Sequence, residues 1–205
     1  MYDGIILDID GTLWDSTEVV KDAWNRALCE RGYDKSVTAQ DLRGLFGLPM
    51  DEIFRNIIPD ASDKEIEEFE PLCSKYEFSY LEEKGGNVYP GMKDTIEKLS
   101  KNHKVAIVSN CQSGYIELVT KKTGIESFII DHVCPGDTGM LKTENIKLVA
   151  DRNNMTNPVY VGDIEKDEIA SRKAGVAFIH AAFGFGTAKS PDHTINEFAD
   201  LLKIV

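Results

Sequence analysis

The chain has 205 residues, of which 42% are apolar and 28% charged, and carries a formal charge of -12. That length supports one sizeable hydrophobic core with an insertion, or at most two small domains. No stretch approaches the roughly 20 apolar residues of a membrane span, and the excess of acid argues against a nucleic-acid backbone as partner, since such binding relies on clustered Lys and Arg. Met1-Tyr2-Asp3 lacks the basic start of a secretory signal. Cys29, Cys73, Cys111 and Cys134 lie far apart with no Cys-x-x-Cys, which argues against zinc and for reduced thiols in a cytoplasmic protein.

Gly4-Ile5-Ile6-Leu7 reads as a strand of a parallel sheet covered on both faces, because its apolar run is continuous. It stops at Asp8-Ile9-Asp10-Gly11-Thr12. Strand side chains alternate between faces, so Asp8 and Asp10 can point to the same side while Gly11 lets the chain bend away. Two anions held that close repel, and a bound cation or a proton on one of them must compensate. Opposite magnesium, Asp8 could serve as nucleophile and metal ligand, and Asp10 as the acid and base. The bland reading is a polar loop after a strand. From average residue usage, Asp-x-Asp-Gly-Thr arises by chance on the order of once in several hundred chains of this length.

Beyond Thr12 the pattern turns helical. Asp15 or Ser16 caps a helix carrying Val19, Val20, Ala23, Trp24, Ala27 and Leu28, and Gly32 ends it. Shorter helices are expected over 39–45 and 49–57, and a longer one over about 62–81 that Pro71 can break or kink. No strand is expected from Asp15 to Asn87. Residues 15–88 therefore read as a helical cap inserted into a core of alternating strands and helices, 1–14 and 89–205.

A helix over about 92–100 leads to the strand Lys104 to Val108, which ends in Ser109-Asn110. A hydroxyl and backbone N–H groups at a strand end, just before a helix starting near Ser113, form a natural phosphate cradle, although Ser-Asn is also a common turn pair. A helix over 114–122 and a strand over about 129–133 follow. Lys142 then opens a helix carrying Ile146, Leu148, Val149 and Ala150. Pro158 to Gly162 is another strand that stops at an acid, Asp163, and Asp167 begins the next helix, where it can cap the helix or meet a metal. The chain closes with a strand over 176–179, a loop at Gly184-Phe185-Gly186 and a helix near 195–202. The expected fold is α/β, a Rossmann-like parallel sheet flanked by helices with an inserted helical cap. In such a sheet the carboxyl ends of the strands converge on one crevice.

Asp8-Ile9-Asp10-Gly11-Thr12-Leu13 resembles the first motif of the haloacid dehalogenase-like phosphohydrolases, in particular the subgroup containing the phosphoglycolate phosphatases and β-phosphoglucomutases. Gly162-Asp163-Ile164-Glu165-Lys166-Asp167 is similar to their fourth motif, Gly-Asp-x-x-x-Asp. The resemblance implies Asp8 as nucleophile, Asp10 as acid and base, Ser109 bonding the transferred phosphoryl group and Lys142 neutralising its oxygens. Gly11, Thr12 and Asn110 would bind substrate beside them. It implies Mg2+ held by Asp8, the Asp10 carbonyl and Asp163, with Asp167 binding directly or through water and Glu165 a lesser candidate.

Thr143 stands where the family usually has Pro. Gly44-Leu45-Phe46-Gly47-Leu48-Pro49 resembles the cap loop that reaches substrate, with Arg43 the candidate for a second anionic group. Gly47 falls where the mutases carry a substrate-binding Arg. The implied function is magnesium-dependent hydrolysis of a small phosphorylated metabolite through an aspartyl phosphate. β-Phosphoglucomutase-like transfer is the alternative, and a non-catalytic phosphate-binding or signalling module is the reading from another class.

Overall fold

The computed structural model describes residues 2–205. The chain divides into two compact units, one running to Asp15 and resuming at Val88–Val205, the other Ser16–Asn87. In chain order, β1 (Gly4–Leu7) and β2 (Trp14–Asp15) precede the helices α1 (Thr17–Glu30), α2 (Ala39–Leu45), α3 (Met50–Ile57) and α4 (Asp63–Lys84). Then come β3 (Asn87–Val88), α5 (Met92–Leu99), β4 (Lys104–Val108), α6 (Tyr115–Thr123), β5 (Asp131–Val133), α7 (Pro135–Thr138) and α8 (Lys142–Arg152). The chain ends with β6 (Pro158–Gly162), α9 (Glu165–Ala174), β7 (Ala177–Ala181), β8 (His193–Ile195) and α10 (Leu201–Ile204).

The larger unit is a parallel sheet of six strands in the order β5-β4-β1-β6-β7-β8. β1 lies in its interior because every one of its residues is buried. Alternation sends Ile6, Ala106, Val108, Tyr160 and Phe178 into one core with Ile146, Val149 and Ala170 from α8 and α9. Ile5, Leu7, Val105, Ile107, Val159, Val161 and Ile179 are equally inaccessible and face the other way. Register then sets the site. Leu7 pairs with both Ile107 and Val161, so Asp8, Ser109 and Asp163 emerge at nearly the same level of three adjacent strands.

Ahead of β1, the Asp3 carboxylate accepts the Thr156 N–H and hydroxyl at 2.7 Å each and the Asn157 N–H at 2.9 Å. Burial alone would raise this carboxyl. The three bonds outweigh it and hold the group down at about 2, against 3.8 ordinarily. A depressed acid stabilises the fold above its unfolded value and loses that contribution as pH falls through the folded one. Asp3→Ala is therefore expected to cost about 1 kcal/mol near neutral pH after allowing for solvent screening. The difference from wild type should shrink as pH falls from about 4 toward 2 in thermal melts.

The inserted unit is helical because its apolar positions recur at three and four. α1 buries Val20, Ala23, Trp24, Ala27 and Leu28, and α4 buries Ile66, Phe69, Cys73 and Leu81. Trp24 packs against Phe54 at 5.2 Å between ring centroids and donates its indole N–H to buried Glu77 at 2.8 Å. Reciprocal caps start α2 at Thr38/Asp41 and α4 at Ser62/Glu65.

Three expectations need correction. α4 runs unbroken through Pro71; Glu67, four residues earlier, is exposed, so the carbonyl that loses its N–H partner can turn to water. The final helix over 195–202 is instead β8, a 3-10 turn Phe198–Asp200 and the short α10. Buried Ile195, Phe198 and Leu201 imitate a helical stripe, but the Asp200 carboxylate accepts the N–H groups of Asn196 and Glu197 and folds the chain into a turn. The region between the first and second sheet strands is also not wholly free of strand, since β2 and β3 stand at its two ends.

Candidate active site

The turn after β1 is tight. Thr12 and Leu13 both donate to the Ile9 carbonyl, at 3.0 and 2.7 Å, and the Gly11 N–H donates to the Trp14 carbonyl at 2.9 Å. Gly11 has φ +82°, and a Cβ there would stand 2.0 Å from Asp163 Oδ2. A Cβ on Gly184 would come within 2.3 Å of Asp163 Cβ, and one on Gly162 within 2.5 Å of Asp167 Oδ2. Backbone therefore closes around the acids where no side chain fits. Gly11→Ala combines left-handed strain with a clash. It is expected to cost about 2–4 kcal/mol and to displace Asp163, lowering both melting temperature and activity.

Inside this enclosure Asp8, Asp163 and Asp167 bring one carboxylate oxygen each within 4.8 Å of one another, all three buried. Lys142, also buried, enters from the first turn of α8 and donates to Asp167 Oδ1 at 2.7 Å. Its Nζ lies 3.2 Å from Asp8 Oδ1. That separation makes an ion pair, yet the angle is wrong for a hydrogen bond, and Asp8 Oδ1 is a buried oxygen with no hydrogen-bond partner. Tyr160 lies beneath the ammonium, its ring centroid 5.7 Å from Nζ and its hydroxyl donating to the Val108 carbonyl at 2.7 Å. The Ser109 hydroxyl, buried at the end of β4, bonds Asp8.

Electrostatics follow from this packing. Burial pushes the Asp8 carboxyl up; Lys142 pulls it down, Asp167 raises it again, and the net direction is upward. Asp163 is pushed well up, first by burial and then by Asp167 and Asp8. Burial would lower Lys142, but Asp167 and Asp8 reverse this and hold it charged. Three carboxylates against one ammonium leave two negative charges to be neutralised. The donor set is all oxygen, which fits a hard divalent cation such as magnesium, and Asp8 Oδ1, although ion-paired with Lys142, still lacks a hydrogen-bond partner. Asp167 is the most fully occupied of the three. Besides Lys142, it accepts the N–H groups of Asp163 and Ile164 at 3.2 and 3.3 Å.

The remaining residues singled out in the sequence fall as follows. Asp10 is half-buried; its carboxylate stands outside the three-acid group and accepts the Tyr115 hydroxyl. Thr12 is wholly buried, and its hydroxyl oxygen has no hydrogen-bond partner. Asn110 is half-buried after Ser109, and Glu165 opens α9, where Lys189 pairs with it. Arg43 belongs to the inserted unit, half-buried on α2. Cys111 is buried and its thiol pushed far up by that burial, the mark of an unreactive sulfur.

Sequence reasoning passed over several supporting groups. The Phe185 N–H donates to Asp163 Oδ2 at 2.7 Å, and His180 Nε2 lies 3.1 Å from the Asp163 carbonyl. Buried Glu168 accepts the N–H groups of Lys189 and Ser190 at 2.8 and 2.9 Å, which ties the loop carrying Phe185 to α9. The spacing Glu165, Glu168, Arg172 was the available signal, since it puts three charged groups on one helix face. Arg172 completes the set by donating to the Ser190 carbonyl at 2.8 Å.

Known proteins share this arrangement of chain. A phosphoglycolate phosphatase from Vibrio parahaemolyticus is 24% identical, the match covering 98% of this chain and 95% of that protein. A pyrophosphatase from Anoxybacillus flavithermus is 23% identical over the same shares of the two chains. Among solved structures, a haloacid dehalogenase-like family hydrolase from Streptococcus pneumoniae superposes with a TM-score of 0.86 at 21% identity, covering 99% of this chain and 98% of that one. The sequence profile of the haloacid dehalogenase-like hydrolases matches residues 5–181, which takes in all of β1 but its first residue and every acid of the buried group. The chain belongs to the haloacid dehalogenase-like hydrolases.

Proposed function

We propose that this hydrolase is a magnesium-dependent phosphatase that removes phosphate from a small phosphomonoester through an aspartyl phosphate on Asp8. The observation that carries the reading is the buried group of Asp8, Asp163 and Asp167, in which Lys142 pairs with Asp8 and Asp167 and one Asp8 oxygen lacks a hydrogen-bond partner. Asp8, Asp163 and Asp167 would hold the ion, joined by the Asp10 carbonyl. When bound, it supplies positive charge against the phosphoryl oxygens and the acid cluster.

Asp8 attacks phosphorus in line with the leaving oxygen, and the phosphorus–oxygen bond of the ester breaks as the Asp8–phosphorus bond forms. Asp10 delivers its proton to the departing oxygen. Lys142 and Ser109 hold charge on the equatorial oxygens, together with backbone N–H groups at the ends of β1 and β4. Asp10, now ionised, takes a proton from water as that water attacks phosphorus, releasing phosphate and restoring Asp8. The relatives named phosphoglycolate phosphatase support a small monoester as substrate. Free thiols support a reducing compartment such as the cytoplasm. Among the described residues no helix is long and apolar enough to cross a membrane.

The test is phosphate release from a panel of phosphoglycolate, sugar phosphates, nucleotides and pyrophosphate, with magnesium and with chelator. Multiple turnover on at least one monoester, lost on chelation, is expected. Absence of turnover on every ester at saturating magnesium would contradict the proposal.

A further inference from the structure

Asp10 does not face the acid cluster with its carboxylate. Its two oxygens lie 3.1 and 2.9 Å from the hydroxyl of Tyr115, the first residue of α6. A phenol has one proton and Asp10 offers only acceptors when ionised, so the hydroxyl donates and the carboxylate receives across both oxygens. Tyr115 has little freedom to do otherwise. Its side chain is 2% exposed, and its ring meets that of fully buried Trp14 edge-on at 6.2 Å between centroids. Trp14 is in turn bridged to the backbone of Asp10, and its carbonyl accepts the Gly11 N–H. Gly114, at φ 87°, turns the chain so that α6 begins with this residue. The ring that holds the carboxylate is thus braced against the same turn that carries it.

We propose that Tyr115 is the positioning residue for Asp10, fixing the carboxyl group that protonates the leaving oxygen. This rests on the phosphatase reading above. A group that acts only through a general acid matters in proportion to how much the leaving oxygen needs a proton. An alkoxide departs poorly without one. A nitrophenolate departs well without one.

The experiment is Tyr115→Phe, which keeps the ring and its packing and removes the hydroxyl, compared with wild type on an alkyl phosphate and on p-nitrophenyl phosphate. The parameter read is kcat/KM, which covers only the steps through departure of the leaving group, so later hydrolysis of the acyl phosphate does not enter. The expected result is a loss of about tenfold or more on the alkyl ester and under about threefold on the aryl ester, in a variant that its melting curve shows to be fully folded at the assay temperature. Equal losses on the two esters, or no loss on either, would overturn the assignment while wild-type turnover left the phosphatase reading standing. No wild-type turnover on either ester would remove both.

Discussion

Asp8→Asn is expected to abolish phosphate release, by more than about 10⁴-fold, without unfolding the protein. The amide has the same shape but neither attacks phosphorus nor carries the charge that would help hold magnesium. Its effect on stability should run the other way. Burial raises the Asp8 carboxyl against the pull of Lys142, which means that the ionised form is less favourable in the fold than in the unfolded chain. A neutral isostere removes that cost, so the melting temperature of the variant is expected to equal or exceed that of wild type in the absence of metal. A variant that is inactive and less stable would point to Asp8 as a structural anchor. The expected combination, inactive and at least as stable, is that of a side chain retained for chemistry.

Lys142→Met should be damaging to both activity and stability. The ammonium is the only basic side chain within salt-bridge distance of Asp8 and Asp167 among the described residues. Its removal leaves three buried acids facing one another, and breaking a buried ion pair from one side costs about 3–5 kcal/mol. Turnover should fall about 10²- to 10³-fold or more through lost stabilisation of the phosphoryl oxygens. Magnesium offers a separate readout. If the acids hold the ion, adding it should raise the melting temperature of the variant more than that of wild type, because more negative charge is then uncompensated. An equal shift in both proteins would mean that Lys142 and the ion do not share the same acids.

Legibility of this fold and site from sequence follows the range of the interactions involved. Ile5 to Leu7, Val105 to Val108 and Val159 to Val161 are continuous apolar runs that stop at polar groups, and a parallel sheet turns such stops into neighbours whatever the intervening chain does. Asp8, Ser109 and Asp163 could therefore be named, Lys142 and Asp167 came from the family resemblance, and the structure brings the five together. The partner of Asp10 is another matter. Tyr115 is 105 positions away, and nothing local distinguishes a tyrosine that meets a carboxylate from one that fills a core. The partners of Glu168, the N–H groups of Lys189 and Ser190, lie 21 and 22 positions later, in a loop with no pattern of its own. The last turn of the chain was misread for the opposite reason. A helical stripe was present, but a single carboxylate, Asp200, decided for a turn.

The claim at the centre is that phosphorus passes through a covalent bond to Asp8. The most direct measurement is to quench the enzyme in acid during steady turnover of p-nitrophenyl phosphate, reduce with borohydride and read the mass of the peptide containing residues 4–12. An acyl phosphate is reduced to the alcohol, so homoserine at position 8 is expected in wild type and not in Asp8→Asn. Steady release of phosphate with Asp8 unmodified and the label at another residue would contradict the account.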